Sequence, residues 1–278
     1  MGAQIDPALS ILIPPDTVVA VAVHVDKLRM TPVYQKYLSA QSFPELDGMA
    51  RLTGMDPRKD LWQLLFVSDA KHNVLLGRGN FGDDMELKLE RDGAKRIGYK
   101  SYYLVGTEEA AVVFFSSSTA AVGNVESLKA LLDARGKSNG PPPAMEERMK
   151  EIPAEAQAWS VYIGGSIQVP FQLPGNLGNV NNFLSAVRAA SVYLDLREGI
   201  KGATRAQCDS EAGAKSVHDA LKAFVGFGRL MAPPNQPDLL RVYDGIQITQ
   251  ETNRVDVKIE ESPELVEKLL RLGLGRQR

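Results

Sequence analysis

Residues 98–136 read GYKSYYLVGTEEAAVVFFSSSTAAVGNVESLKALLDARG. On both sides of the polar turn at Gly106, β-branched and aromatic residues recur at the two-residue spacing of a strand. Asn124 is then a good N-cap, because its side-chain oxygen can accept a hydrogen bond from an otherwise unpaired backbone N–H. The leucines of LKALL fall on one face of the helix that follows, and Gly136 ends it. The stretch therefore predicts two strands followed by a helix, a ββα unit.

The same order of elements recurs three more times along the chain. The predicted strand pairs and their helices are 61–69, 73–78 and 83–91; 191–198, 201–209 and 211–225; and 245–250, 254–260 and 262–273. One further strand and one further helix precede the units of each half, at 18–25 and 31–53 and at 157–163 and 181–190. We therefore predict an α+β fold built by tandem duplication, each half β-α-ββα-ββα with an antiparallel sheet and helices on one face.

The clearest break in the pattern is KSNGPPP at 137–143, where three consecutive prolines can continue neither a helix nor a central strand. We predict a first α+β repeat at 1–140, a linker with a short helix at 141–156, and a second repeat at 157–278.

Composition excludes several classes of protein. The chain has 278 residues, 44% of them hydrophobic, and a net charge of −2 with both signs interspersed, so no basic stripe points to nucleic acid. No apolar run approaches the roughly 20 residues of a membrane-spanning helix. The single cysteine, Cys208, excludes both a disulfide framework and a cysteine zinc site within one chain. The first residues, MGAQ, lack the features of a signal peptide, and their small size is consistent with the trace of a removed one.

Residues 77–82 read GRGNFG and match the G-x-G-x-x-G pattern of dinucleotide-binding turns. Asp83 and Asp84 follow where phosphates would lie, and their charge would repel them. The preceding strand also belongs to a predicted hairpin rather than to a parallel βαβ unit. These observations favour a glycine-rich turn between a strand and a helix.

The other patterns that could carry chemistry are short and isolated. Ser68 and Lys71 match S-x-x-K, but the partner motifs of the serine-acylating enzymes are missing, and the segment is a predicted hairpin turn. None of the three histidines, His24, His72 and His218, has a second histidine at metal-ligand spacing. The acidic pairs at 83–84, 108–109, 146–147 and 260–261 are adjacent in sequence and point apart, so none forms a ready acid–base pair. We therefore predict no catalytic residue, no metal site and no cofactor.

One group of aromatic residues could line a ligand pocket. Trp62, Phe66, Tyr99 and Tyr102 lie on predicted strands, and a gap between a curved sheet and a helix would place them around a small apolar ligand. The alternative is that they form ordinary sheet-to-helix core, with tyrosine hydroxyls at the edge.

Three stretches resemble a known group of proteins. They are PPDTVVAVAVHVDKLRMTPVYQKYL (14–38), GMDPRKDLWQLLF (54–66) and VGNVESLKALLDARGKSNGPPPAMEERMKEIPAEAQAWSVYI (122–163). In these, the chain resembles an uncharacterised bacterial family of exported, internally duplicated proteins, a domain of unknown function. The resemblance implies an extracytoplasmic setting, periplasmic or secreted, and a duplicated α+β fold. It assigns no catalytic or binding residue.

Three hypotheses on function stay open. The first is a non-catalytic exported protein that acts as a binding or structural module in the cell envelope, with an envelope protein as partner. The second is a carrier of a small apolar ligand between sheet and helix. The third is a hydrolase built on the loops 170–182 and 233–237, which contain no residue suited to acid–base work. A cytoplasmic location is the alternative to export.

Overall fold

The structure, a computed structural model, describes residues 2–39, 47, 50–51, 54–137, 139–164, 185–233 and 235–274. Its contacts divide the chain into two compact units, Met1–Lys150 and Glu151–Arg278. The division falls within the segment 141–156 that the sequence marks as a linker. Among the described residues, no helix is both long and apolar enough to cross a membrane.

The first unit contains one antiparallel sheet. Its strands are β1 (Val19–His24), β2 (Leu61–Ser68), β3 (Asn73–Gly79), β4 (Lys95–Tyr99), β5 (Tyr102–Gly106), β6 (Ala111–Ser116) and β7 (Thr119–Gly123). Their order in the sheet is β1-β2-β3-β7-β6-β5-β4. Strand β7 of the hairpin β6–β7 therefore pairs back onto β3. The hairpin β4–β5 extends the sheet beyond β6.

Short helices pack around this sheet. They are α1 (Pro7–Ser10), α2 (Val25–Arg29), a π-helical turn (Tyr34–Leu38), α3 (Pro57–Asp60), α4 (Met85–Arg91), α5 (Val125–Ala134) and α6 (Pro143–Met149). Helix α5 begins as the sequence predicts, because the Asn124 side chain accepts a hydrogen bond from the Ser127 backbone N–H at 2.8 Å. After the helix, Gly136 has a φ of +83°, which a residue with a side chain rarely adopts.

The second unit contains five further antiparallel strands. Its strands are β8 (Ala158–Ile163), β9 (Val187–Asp195), β10 (Ile200–Cys208), β11 (Gln247–Glu251) and β12 (Arg254–Glu261), in the order β11-β12-β10-β9-β8. Its helices are α7 (Glu211–Met231), α8 (Pro237–Gly245) and α9 (Pro263–Leu274). Helix α7 buries Ala214 and Val217 against Val187, Cys208 and Val255 of the sheet. The predicted α+β class with antiparallel strand pairing is thus confirmed.

Several elements differ from the sequence prediction. The segment predicted as two strands between 98 and 118 contains parts of three, β4, β5 and β6, because Lys100 turns the chain at a positive φ without a glycine. The serines after β6 make a second tight turn into β7, a strand that was not predicted. The predicted helix 181–190 is wrong from Val187 onward, where the chain pairs as β9, and its start lies outside the described residues. Helix α8 was not predicted. Within the predicted helix 31–53, the longest helical segment among the described residues is the π-helical turn.

The helices of the first unit pack on both faces of the sheet, not on one as predicted. Helix α5 places Leu131 near Val67 and Val74, whereas Met85 of α4 packs with Ala120 on the opposite face. The reason lies in the strands, whose successive residues are apolar on both sides, as in the pair Leu75 and Leu76. A strand with two apolar faces needs cover on both.

Candidate functional site

The two faces of the first unit's sheet differ in how completely they are covered. One face is sealed by α5, and five of its strand residues are at most 2% exposed. These residues are Leu65, Val67, Leu76, Val113 and Ala121. On the other face, Leu75 and Val122 are cross-strand partners, and they are 37% and 44% exposed. This second face is apolar but only partly covered.

A cavity of about 330 Å³ lies on the second face, between the sheet, α4 and the residues at the start of α3. Every described residue that lines it is apolar. The sheet contributes Leu61, Leu64, Leu75, Gly77, Val112, Phe114, Ala120 and Val122, and the other walls are Met55, Pro57, Phe81, Met85 and Leu89. All of them belong to the first unit.

Two small residues leave room on the floor of the cavity. Gly77 on β3 and Ala120 on β7 are cross-strand partners, so they lie side by side on the same face. A Cβ atom at Gly77 would stand 3.4 Å from Cζ of Phe81 and 3.8 Å from Cδ2 of Leu64. These are contact distances without a clash, so the site could hold a side chain that the sequence does not supply.

The length of the covering helix explains why this face stays open. Helix α4 has 7 residues and is therefore about 10 Å long, enough to place Met85 and Leu89 over the sheet and no more. In the second unit, the helix that follows the first hairpin, α7, has 21 residues and spans about 30 Å. In the first unit, the corresponding helix after the first hairpin is one third as long.

The glycines of the GRGNFG motif serve this packing. Gly77 forms the cavity floor, and a Cβ at Gly79 would lie 2.5 Å from the Asp60 carbonyl oxygen, where no side chain fits. Gly82 has a φ of +72° in the turn that leads toward α4. The strand before the motif is half of the antiparallel hairpin β2–β3, which is not the βαβ context of a dinucleotide site.

The four aromatic residues expected around a pocket are not brought together. Trp62 and Phe66 lie on β2, whereas Tyr99 and Tyr102 lie on β4 and β5. Strands β3, β7 and β6 separate β2 from β5, a distance of roughly 19 Å at ordinary strand spacing. None of the four is among the described residues that line the cavity.

Three of these aromatic residues have a local partner instead. The Arg78 guanidinium lies 5.2 Å from the centre of the Trp62 ring. The Tyr99 hydroxyl donates to the Asp133 carboxylate at 3.0 Å, and this hydrogen bond raises the pKa of Tyr99. Tyr102 packs edge-on against Phe115 at a centroid distance of 5.7 Å. Trp62 and Phe66 are nonetheless sequence neighbours of cavity residues, because Leu61 and Leu64 belong to the same strand.

The three histidines lie in three separate places. His72 accompanies the β2–β3 turn, where its Nδ1 is 2.8 Å from Oδ2 of Asp69. His218 lies on α7, with its Nδ1 2.9 Å from Oδ1 of Asp219. His24 is buried at the end of β1, opposite Gln63. Among the described residues, no group of three or more His, Cys, Asp or Glu side chains could hold a metal ion.

His24 predicts a pH dependence of stability. Burial, followed by the charge of Lys27, lowers the pKa of His24 from its ordinary value of 6.5. The unfolded chain therefore binds a proton at this position at a higher pH than the folded chain does. The contribution of His24 to stability is full above a pH of about 6.5 and is lost as the pH falls. Urea denaturation at about pH 7.5 and about pH 5.5 should show that the free energy of unfolding falls more for the wild type than for His24→Gln. Equal losses would contradict this prediction.

The remaining candidates do not form a reactive site in the described residues. Ser68 accepts a hydrogen bond from the Ala70 backbone N–H at 3.1 Å and so closes the hairpin turn. Of the acidic pairs, Asp84 binds Lys88 and Glu260 binds Lys201, whereas burial raises the pKa of Glu261. The loop 170–182 lies outside the described residues, and the loop 233–237 leads directly into α8.

No family model matches this chain, and no curated protein does either. Solved structures do match. Crystal form III of TP0453 is 12% identical, covers 96% of this chain and 97% of its own, and superposes with a TM-score of 0.56. Crystal form IV of TP0453 is 13% identical, covers 97% of this chain and 96% of its own, and gives a TM-score of 0.53. At this level of identity the likeness shows a shared fold and nothing of function.

Proposed function

We propose that the first unit binds and carries a small apolar ligand in the cavity over β3 and β7. One observation supports this most strongly: a cavity of about 330 Å³ has only apolar residues among its described walls. Ligand pockets in proteins start at about 300 Å³ and are lined mainly by apolar side chains. A dry apolar cavity of about 150 Å³ is already large enough to bind benzene. The cavity is thus of a size for a fused aromatic ring system or a short acyl chain.

The apolar walls favour a bound apolar ligand over an empty or water-filled cavity. A bound water needs two to four polar partners, and the described walls offer apolar side chains instead. Leu75 and Val122 also keep part of their surface in contact with solvent. An apolar molecule that covers them gains roughly 25 cal/mol for each Å² removed from water.

Thermal unfolding of the full chain tests this proposal with a defined panel of naphthalene, decanol, glucose and AMP. A ligand at 100 times its dissociation constant stabilises by about 2.7 kcal/mol, which corresponds to a shift of several degrees. We expect naphthalene or decanol to raise the midpoint, with glucose and AMP as negative controls. No shift with either apolar compound at saturation would contradict the proposal.

A second candidate function, binding of a partner protein, is favoured by a feature of the second unit. The end of α7 exposes Phe224, Phe227, Leu230 and Met231, which recur every three to four residues. Contiguous exposed apolar side chains commonly mark interaction sites. Cross-linking in intact cells should then recover one partner with the wild type and lose it with Phe227→Ser. Equal recovery by both would remove this function.

We also propose that the two units arose by duplication. In each unit a first strand lies beside a hairpin, and the second strand of the next hairpin pairs back onto the first hairpin, as β1-β2-β3-β7-β6 and as β8-β9-β10-β12-β11. Among the described residues, the extra hairpin β4–β5 occurs only in the first unit. An exported setting remains a proposal that rests on the family resemblance, and fractionation of the native cells tests it.

A further inference from the structure

The apolar cavity adjoins a smaller polar cleft of about 160 Å³ in the same unit. Three side chains, those of Met55, Phe81 and Met85, line both spaces. Two of the three are methionines, whose unbranched chains change rotamer readily and adapt to irregular ligands. A ligand held in the cavity can therefore reach the cleft past these three residues.

The charged groups of this cleft are few and can be examined one by one. The Asp60 carboxylate is already engaged, because its Oδ2 accepts a hydrogen bond from the Asp56 backbone N–H at 2.8 Å. Lys88 lies along Gly54, its Nζ 3.7 Å from the position of a Cβ at that glycine. The same Nζ forms an ion pair with Oδ1 of Asp84 at 3.0 Å.

The ion pair of Lys88 is of a kind that a ligand can replace. The Asp84 side chain is 60% exposed, so its carboxylate can turn into water at little cost. The hydrogen bond from Lys88 lowers the pKa of Asp84, which is consistent with a charged ammonium facing a charged carboxylate. A second carboxylate could take the place of Asp84 on Lys88 without leaving any group buried and unpaired.

We propose that the ligand is an acidic amphiphile, a medium-chain carboxylic acid, whose chain fills the cavity and whose carboxylate pairs with Lys88 in the cleft. This inference rests on the proposed ligand-binding function and adds the class of ligand to it. An amine head is disfavoured beside Lys88, because the ammonium group of Lys88 would repel it. A compound without a polar end would leave the cleft unused.

Calorimetric titration of the full chain with decanoate and with decanol at neutral pH tests the inference. Exposed ion pairs contribute modestly to affinity. Lys88→Met should therefore weaken the binding of decanoate on the order of three-fold and leave the binding of decanol unchanged. Asp84→Asn should strengthen the binding of decanoate by a similar factor, since it removes the competing carboxylate. Lys71→Met, in the β2–β3 turn away from the cleft, is the matched control and should change neither compound.

The outcomes separate the two levels of the proposal. If both compounds bind the wild type and Lys88→Met affects them equally or not at all, the acidic head group is wrong and the apolar site stands. If neither compound binds the wild type, the proposed function itself fails. Thermal unfolding of each variant without ligand shows whether the substitutions preserve the fold.

Discussion

Leu76→Ala is expected to destabilise the first unit by about 2–5 kcal/mol, the usual effect of truncating a fully buried leucine. Leu76 is 0% exposed on the face that α5 seals. Its neighbour on the same strand, Leu75, is 37% exposed at the cavity. Leu75→Ala is therefore expected to lower the free energy of unfolding by only about 1 kcal/mol or less, since its side chain leaves no new void.

Urea denaturation followed by tryptophan fluorescence measures this difference. Trp62 lies in the first unit and Trp159 in the second, so a Trp159→Phe background restricts the signal to the first. The two leucines are adjacent and chemically identical, which makes each the control for the other. Equal losses at both positions would mean that the second face is as well packed as the first.

Gly77→Val is expected to weaken the binding of apolar ligands ten-fold or more. The valine side chain would occupy the floor of the cavity, which a Cβ can enter without a clash. Stability should be kept or raised, because glycine inside a strand is destabilising by roughly 0.5–1 kcal/mol relative to alanine. β-branched residues are also favoured in strands.

The matched control for this variant is Gly98→Val. Gly98 is also a strand glycine, on β4, and nothing lies within 4 Å of the position of its Cβ. It gains the same side chain outside the cavity, so binding should persist. Naphthalene and decanol titrations of both variants report the result. Unchanged affinity for Gly77→Val, or an equal loss for Gly98→Val, would place the ligand elsewhere.

Much of the fold follows from local sequence pattern. Hairpin β2–β3 and helix α5 were predicted because apolar periodicity, turn residues and an asparagine cap agree with one another. The predicted elements that were wrong lie where local conformational preference and sheet pairing disagree. Alanines at 189–190 favour a helix, yet they pair with β8 and β10 inside β9. Lys100 turns the chain at a positive φ without a glycine, so β4 and β5 read as one segment.

The cavity could not be predicted in the same way. Its walls include residues of four strands and two helices, and periodicity shows which residues share a face but not what covers that face. The predicted pocket consisted of large aromatic residues such as Trp62 and Tyr102. The floor of the observed cavity instead depends on two small residues, Gly77 and Ala120. One signal was present: the predicted helix 83–91 is much shorter than its counterpart 211–225. A short helix over a wide apolar sheet leaves part of it uncovered.

The cavity as a ligand site is tested most directly by methyl NMR of the protein during titration with decanol. The methyl groups of Leu64, Leu75, Val112 and Val122 line the cavity, and those of Leu65, Leu76 and Val113 lie on the sealed face of the same sheet. We predict large shifts in the first set and small shifts in the second. An unchanged spectrum, or shifts confined to α7 in the second unit, would contradict the proposed site.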